Sequence, residues 1–469
     1  MTTSRMTRQA ERASSLTRRK MLKLSAAAIG GAAVAPVLSA CGSSLGAAQH
    51  GGGGGGGAPS AGGNQLSLLL DHTSIEVQRF QKVVDKFQKS SKLKVSVGNI
   101  ATGSAFYTKI NTEGVAKTLP DVWYARTFDV AYDAIKQWAE PLDSYISKDS
   151  NFNLDDFWPA LKAQAEYHGH VYTLPWNLSD YVVFVNESVL EKAGLSLPSA
   201  NWTWADFEAA AAKVPVAKRS NGRQSNYGAS VTGLVGDWGL RGVLAAEGSE
   251  LLSPNFEKSI AYSEPNVRFF MFLANLANKH LVPTASSFPA TVDPFVGGLV
   301  AYSVGGSWNI AEYTSEIGSK FKWSILPIPK GSTGKRGVAV AGGGFAVSAF
   351  SKNKQAAFEL ANALTNTSAL NSVVSQYLDS LPARQSAMPD FLKTAKTGKD
   401  APKGINNIQL ETSQALTVNY PPYEVPYQTV ITNRTATLLN GNVTEAKVRT
   451  MLKQIDSDTR ALISQYFKK

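Results

Sequence analysis

The sequence predicts an α/β protein with a mainly parallel sheet, over a length that favours two lobes. Apolar runs of strand length alternate with stretches of helical period from residue 65 onward. About 400 residues follow a glycine-rich stretch that ends near Gly63, more than a single compact core usually holds. The ends of the first strands carry polar side chains, as they do where a parallel sheet presents a site.

The first strand is QLSLLLDH (65–72), an apolar run that delivers Asp71 and His72 to the loop beyond its carboxyl end. In EVQRFQKVVDKFQKS (76–90), Val77, Phe80, Val83, Val84 and Phe87 recur at helical spacing with lysines between them, which predicts an amphipathic helix. KLKVSVGNI (92–100) reads as a strand, FYTKINTEGVAK (106–117) as a helix and DVWYA (121–125) as a third strand. This order places Tyr124, Arg126 and Thr127 beside Asp71 and His72 at the carboxyl edge of one sheet.

Residues before the globular part read as an address and a tether. Seven basic residues and one acid, Glu11, lie in 1–23, followed by the small apolar run LSAAAIGGAAVAPV (24–37). That run is shorter than the ~20 residues a transmembrane helix needs and is broken by Gly30, Gly31 and Pro36. Leu38-Ser39-Ala40-Cys41 resembles the lipobox of bacterial lipoproteins, which implies cleavage before Cys41 and a lipid on it. Thr17-Arg18-Arg19-Lys20-Met21-Leu22-Lys23 resembles a twin-arginine export signal, although a general secretory signal uses the same charges. Residues 1–40 are therefore expected to be a signal peptide. Residues 41–63, with seven consecutive glycines from Gly51, are expected to be a flexible tether spanning roughly 25 Å.

Charge and cysteine usage narrow the function. Residues 1–40 hold seven of the 47 Lys and Arg and one of the 36 Asp and Glu, so the rest carries 40 against 35, a formal +5 rather than +11. No concentrated basic composition remains to argue for a nucleic-acid partner. Cys41 is the single cysteine, so no disulfide forms within the chain. His168-Gly169-His170 lacks further ligands at metal spacing, and the glycine run lacks the lysine and strand of a phosphate loop. H-E-x-x-H is absent, the single G-x-S-x-G match, Gly42–Gly46, falls in the glycine-rich stretch rather than between a strand and a helix, and no cofactor is expected.

Four segments then follow in a telling order. They are Gly169–Trp176 (GHVYTLPW), Tyr181–Asn186 (YVVFVN), Glu191–Leu195 (EKAGL) and Trp202–Phe207 (WTWADF). In residue terms, Pro175 stops a strand, Gly194 ends a helix and Thr203 caps the helix that Trp204 and Phe207 pin down. Together with Pro120-Asp121-Val122, FVGGLVAY (295–302), Gly305-Gly306-Ser307-Trp308, LPIPKG (326–331), GGGFAV (342–347) and the helix 352–366, they resemble the family 1 extracellular solute-binding proteins, the maltose-binding-protein-like sugar-binding lipoproteins of ABC transporters. Tyr302 departs from the methionine usual there. The resemblance runs from about residue 66 to 390.

It implies a two-lobed periplasmic-binding-protein-like fold of type II, with the ligand held between lobes of residues 64–176 plus 328–378 and 177–327 plus 379–469. Crossings are implied near Tyr172–Asn177, Leu326–Pro329 and Tyr377–Pro382. The implied function is capture of a sugar or oligosaccharide by a monomer that delivers it to the permease subunits of an ABC importer, outside the cytoplasmic membrane and without catalysis. A non-sugar solute and an exported polysaccharide hydrolase or lyase are the alternatives.

A sugar needs donors and acceptors for its hydroxyls and a ring for its C–H face. Trp308, in the turn with Gly306, is the first stacking candidate. Trp176 and Asn177 at the first crossing read either as ligand contacts or as hinge packing, and Trp238, between glycines, as a ligand-facing or a core ring. Arg384 reads as a bidentate donor to ligand or as a hinge salt bridge. Tyr423, in NYPPY (419–423), reads as a displayed ring or a loop-shaping residue. Gly343 and Gly344 permit close backbone approach, and Tyr124, Arg126, Asp71 and His72 rest on the strand-end geometry.

Overall fold

The computed structural model describes residues 63–467, apart from 101–102, 219, 221–223, 237, 285, 290, 338–341, 379, 398–402, 406 and 408–419. Cys41, the leader and the tether lie outside the described residues.

The predicted opening alternation is present. Strand β1 (Gln65–Leu70) leads to helix α1 (Ser74–Ser91), β2 (Lys94–Asn99), α2 (Gly103–Ala116) and β3 (Val122–Arg126). Helix α1 starts where Thr73 and Glu76 close a reciprocal capping box, and it buries Phe80, Val83, Val84 and Phe87, as the spacing requires. Burying each such side chain stabilises by about 1.5–3 kcal/mol.

These strands form one sheet in the order β2-β1-β3-β12-β6, completed by β6 (Thr173–Pro175) and β12 (Gly343–Val347). Between them lie a small hairpin of β4 (Glu166–Tyr167) and β5 (His170–Val171), and a short strand β7 (Asn177–Leu178). A second sheet, ordered β11-β8-β10-β9, comprises β8 (Tyr181–Asn186), β9 (Tyr227–Ser230), β10 (Val300–Gly306) and β11 (Trp323–Pro327). Each sheet has one reversed strand: β12 is antiparallel to β3 and β6, and β8 to β10 and β11. The reason is topological. Each follows a crossing between lobes, so the chain enters at the cleft edge and must run away from it, against the βαβ strands.

Helices flank both sheets. Helix α3 (Trp204–Ala212) is capped by Thr203, as the sequence predicts, and Asp206 closes the reciprocal box; α4 (Trp238–Ala246) and α5 (Glu264–Asn278) complete the second lobe's middle segment. Helix α6 (Lys354–Thr365) covers the first sheet beside α1. Helix α7 (Met388–Thr397) follows β12 and α6 and buries Phe391. The carboxyl-terminal helices α8 (Glu424–Thr435) and α9 (Glu445–Phe467) pack on each other, and α9 on α5.

The crossings fall partly elsewhere than the family pattern implies. The chain leaves the first sheet after Pro175 and enters the second at Tyr181, overlapping the implied Tyr172–Asn177 at its end. Residues 328–336 stay with the second lobe: Lys330 N donates to Trp202 O at 2.9 Å and Arg336 to Ala200 O at 2.5 Å. Gly342 is already tied to Thr127 in the first lobe, so the second crossing lies between Arg336 and Gly342. Residues 381–397 remain on the first lobe, where β13 (Leu381–Pro382) pairs with β7 and Ser386 bonds Asp156. Lys403 pairs with Ser324 beside β11, so the third crossing follows Thr397.

Candidate ligand-binding site

The two sheets aim their carboxyl edges at a shared cleft. On the first lobe, Arg126 at the end of β3 donates to Asp71 Oδ2 at 2.7 Å beyond the end of β1. The guanidinium lies over the Tyr107 ring at 4.6 Å and near Phe128 at 5.5 Å, and about a quarter of the side chain (26%) is exposed. Tyr107 donates to Asp129 Oδ2 at 2.7 Å. Burial pushes the Asp129 carboxyl up to about 6, against the opposing pull of Arg126 and the Tyr107 hydroxyl.

On the second lobe, Trp308 follows Gly306 at the cleft end of β10. Its indole is 39% exposed and meets Tyr181, at the start of β8, edge-on at 5.5 Å. The ring lies directly over Gly306, where a β-carbon would fall 2.0 Å from it. The glycine is thus required by the ring's position.

The lobes touch where Phe128 meets Tyr420 at 5.6 Å, with the Arg241 guanidinium 5.5 Å from the Tyr420 ring on the other side. Arg241 in turn pairs with the buried Glu424 at 3.7 Å. Beside this contact is a cavity of about 390 Å³. Its first-lobe wall includes Thr127, Phe128, Gln164, Glu166, Tyr167 and His168, and its second-lobe wall Phe256, Tyr420 and Pro422. Rings and hydrogen-bonding groups from both lobes therefore face one space of small-ligand size.

The structure separates the residues singled out in the sequence. Asp71 and Arg126 pair beyond the ends of β1 and β3, and Gly306 and Trp308 lie at the end of β10; none of the four lines the 390 Å³ cavity. His72, Tyr124 and Trp176 form an aromatic cluster below them: His72 stacks on Phe80 at 5.1 Å, and Trp176, 2% exposed, contacts both Phe80 and His72. Burial lowers the His72 pKa, which favours the neutral imidazole. Of the two readings offered for Trp176 and Asn177, the observed contacts are those of hinge packing, with Asn177 Oδ1 accepting from Gly343 N at 2.8 Å. The close approach that Gly343 allows is to Tyr124 and Trp176, and Gly344 lies against Leu174.

Two candidates lie away from the cleft. Arg384 is buried beneath the hinge, donating to Thr365 O at 2.7 Å and Asn153 O at 2.9 Å, with Asp156 at 3.5 Å and Phe157 4.1 Å from its guanidinium. Tyr423 is fully buried and donates to Phe256 O at 2.5 Å, because it sits at the start of α8 and turns into the second lobe. Trp238 opens α4, but its side chain lies outside the described residues. Sequence reasoning missed Phe128, Tyr167, Tyr181 and Tyr420. Tyr420 shares the NYPPY segment with Tyr423, so the signal was present on the neighbouring ring.

Among the described residues no group of three or more His, Cys, Asp or Glu is placed to hold a metal ion, and His170 pairs with Asp143 at 3.1 Å. No described helix is long and apolar enough to cross a membrane.

Comparison with known proteins agrees with this architecture. Residues 82–403 match the family of bacterial extracellular solute-binding proteins. Among solved structures, the chain is similar to an ABC substrate-binding protein of Listeria monocytogenes in complex with cycloalternan, at 20% identity and a TM-score of 0.74, over 86% of this chain and 99% of that one. An ABC transporter solute-binding protein of Thermotoga lettingae bound with α-D-tagatose matches at 22% identity and a TM-score of 0.72, over 86% of this chain and all (100%) of the other. UgpB of Mycobacterium tuberculosis in complex with glycerophosphocholine matches at 17% identity and a TM-score of 0.72, over 86% and 100%. These likenesses fix the two-lobed fold.

Proposed function

The chain belongs to the bacterial extracellular solute-binding protein family, and on that premise we propose that it is the substrate-binding component of an ABC importer that takes a sugar or short oligosaccharide between its lobes. One observation carries this reading: the cavity between the lobes is walled by rings and hydrogen-bonding side chains from both. A ligand touching both walls favours the closed arrangement, and a permease can recognise that form. Trp308 supplies an exposed indole for a sugar's C–H face, while Asp71, Arg126, Gln164 and Glu166 supply groups for its hydroxyls. Binding requires no bond to break, and the protein acts without catalysis.

The family is exported, and the lipobox supports attachment through a lipid on Cys41 to the outer face of the cytoplasmic membrane, with the chain working as a monomer. We assign lobe 1 to residues 64–178 with 342–397, and lobe 2 to 181–336 with 403–467, on the contacts of the crossings. A phosphorylated polyol is the second reading, favoured by the two guanidiniums, Arg126 and Arg241, that flank the Phe128–Tyr420 contact.

A thermal-shift screen of mono-, di- and trisaccharides beside glycerol phosphates tests the choice. A stabilising sugar supports the first reading; stabilisation by a phosphorylated polyol alone replaces it with the second.

A further inference from the structure

The pole of lobe 1 opposite the cleft gathers cations that the ligand site does not use. Lys89 lies in the last turn of α1, Lys92 is its left-handed C-cap, and Lys94 opens β2 opposite Gln65. Lys117 follows α2 and Lys352 follows β12. All five are exposed, and among the described residues none stands in an ion pair. The carboxylates on the same segments are already engaged. Glu113 pairs with Lys109, Glu140 with Lys354, and Asp121 is buried, accepting from Ser67 and Ser351. Val115, beside Lys117, is 79% exposed.

The chain leading back to Cys41 departs from the middle of this pole. Asn353 donates to Gly63 O at 2.9 Å, and Lys94 N donates to Asn64 O at 2.8 Å. Adjacent strands are about 4.8 Å apart, so the loops carrying these lysines border the tether's exit point.

We propose that this pole docks on an anionic phospholipid surface, with the lysines on headgroup phosphates and Val115 at the interface. The inference rests on the proposed lipid at Cys41, which keeps the pole near a membrane where individually weak cation contacts add up. In this pose the cleft, at the other end of lobe 1, opens away from the membrane to collect ligand. Lysines that merely complement the carboxyl ends of α1 and α2 would show no dependence on lipid charge.

The test is lysine-acetylation footprinting of the full chain, produced with its lipid, on vesicles of phosphatidylcholine alone or with about one third phosphatidylglycerol. We expect labelling of Lys89, Lys92, Lys94 and Lys117 to slow about threefold or more on the anionic vesicles, and the difference to vanish in 0.5 M salt. In the quadruple variant K89Q/K92Q/K94Q/K117Q, Lys352 should lose its protection as well. Equal labelling on the two vesicles, or protection confined to lobe 2 lysines such as Lys322, overturns the proposal. Flotation on phosphatidylcholine reports the Cys41 lipid separately. A chain that fails to float is footprinted by mixing with anionic vesicles at low salt, where the same pattern is expected.

Discussion

The indole of Trp308 lies over Gly306, so close that a single added carbon on the glycine would fall 2.0 Å from the ring. The glycine fixes where an exposed aromatic face is displayed at the cleft edge of β10, next to Tyr181. Gly306→Ala must therefore move the ring. Calorimetry should show about tenfold weaker ligand binding, while the melting temperature changes little because much of the indole is already in water.

Arg384 tests the opposite case, a candidate that the structure places in the framework. It satisfies two backbone carbonyls and Asp156 under the hinge. Arg384→Ala removes the donor from the Thr365 and Asn153 carbonyls, while Asp156 keeps its bonds from Ser386, and should cost about 2–4 kcal/mol of stability by urea denaturation. Ligand affinity of the folded fraction should stay within about twofold.

The Phe128–Tyr420 contact joins the lobes through two rings at the cavity wall. Replacing both by alanine removes a cross-lobe contact. Small-angle scattering of the ligand-free double variant should show a larger radius of gyration than the parent, and identical profiles would mean that the rings do not hold the lobes together.

Asp129 gives a pH signature. Its folded pKa, about 6, lies above its ordinary value of 3.8, so keeping it ionised costs stability above pH 6 and that cost disappears as the pH falls toward 4. Neighbouring Asp133, also raised by burial, acts in the same sense, whereas His72, lowered by burial, acts in the opposite one. Asp129→Asn isolates the first effect. It should raise ligand-free stability relative to the parent by about 1–3 kcal/mol more at pH 7.5 than at pH 4, at about 1.4 kcal/mol per pH unit of displacement. A pH-independent difference would contradict the assignment.

The first lobe was largely legible because its elements obey simple periods. The run LSLLL and the helical spacing of Phe80, Val84 and Phe87 give β1 and α1 to within two residues at each end, and Thr203 marks the start of its helix. The positions of the crossings were not legible, since they depend on which lobe a loop's backbone bonds, as Lys330 bonds Trp202 across more than a hundred residues. The site was legible by residue type and only partly by direction. Tyr420 and Tyr423 share one proline-rich segment, yet one ring meets Phe128 at the cleft while the other turns under Phe256, because the start of α8 sets their directions.

A sugar held between the lobes should stack on Trp308. Isothermal titration of the purified chain with glucose, maltose, maltotriose and mannotriose, repeated with Trp308→Ala, tests it most directly. The account requires one-to-one binding of at least one sugar with a Kd of about 10 µM or lower, weakened about tenfold or more by the substitution. Absence of binding across the panel, or an affinity unchanged by removing the indole, would contradict it.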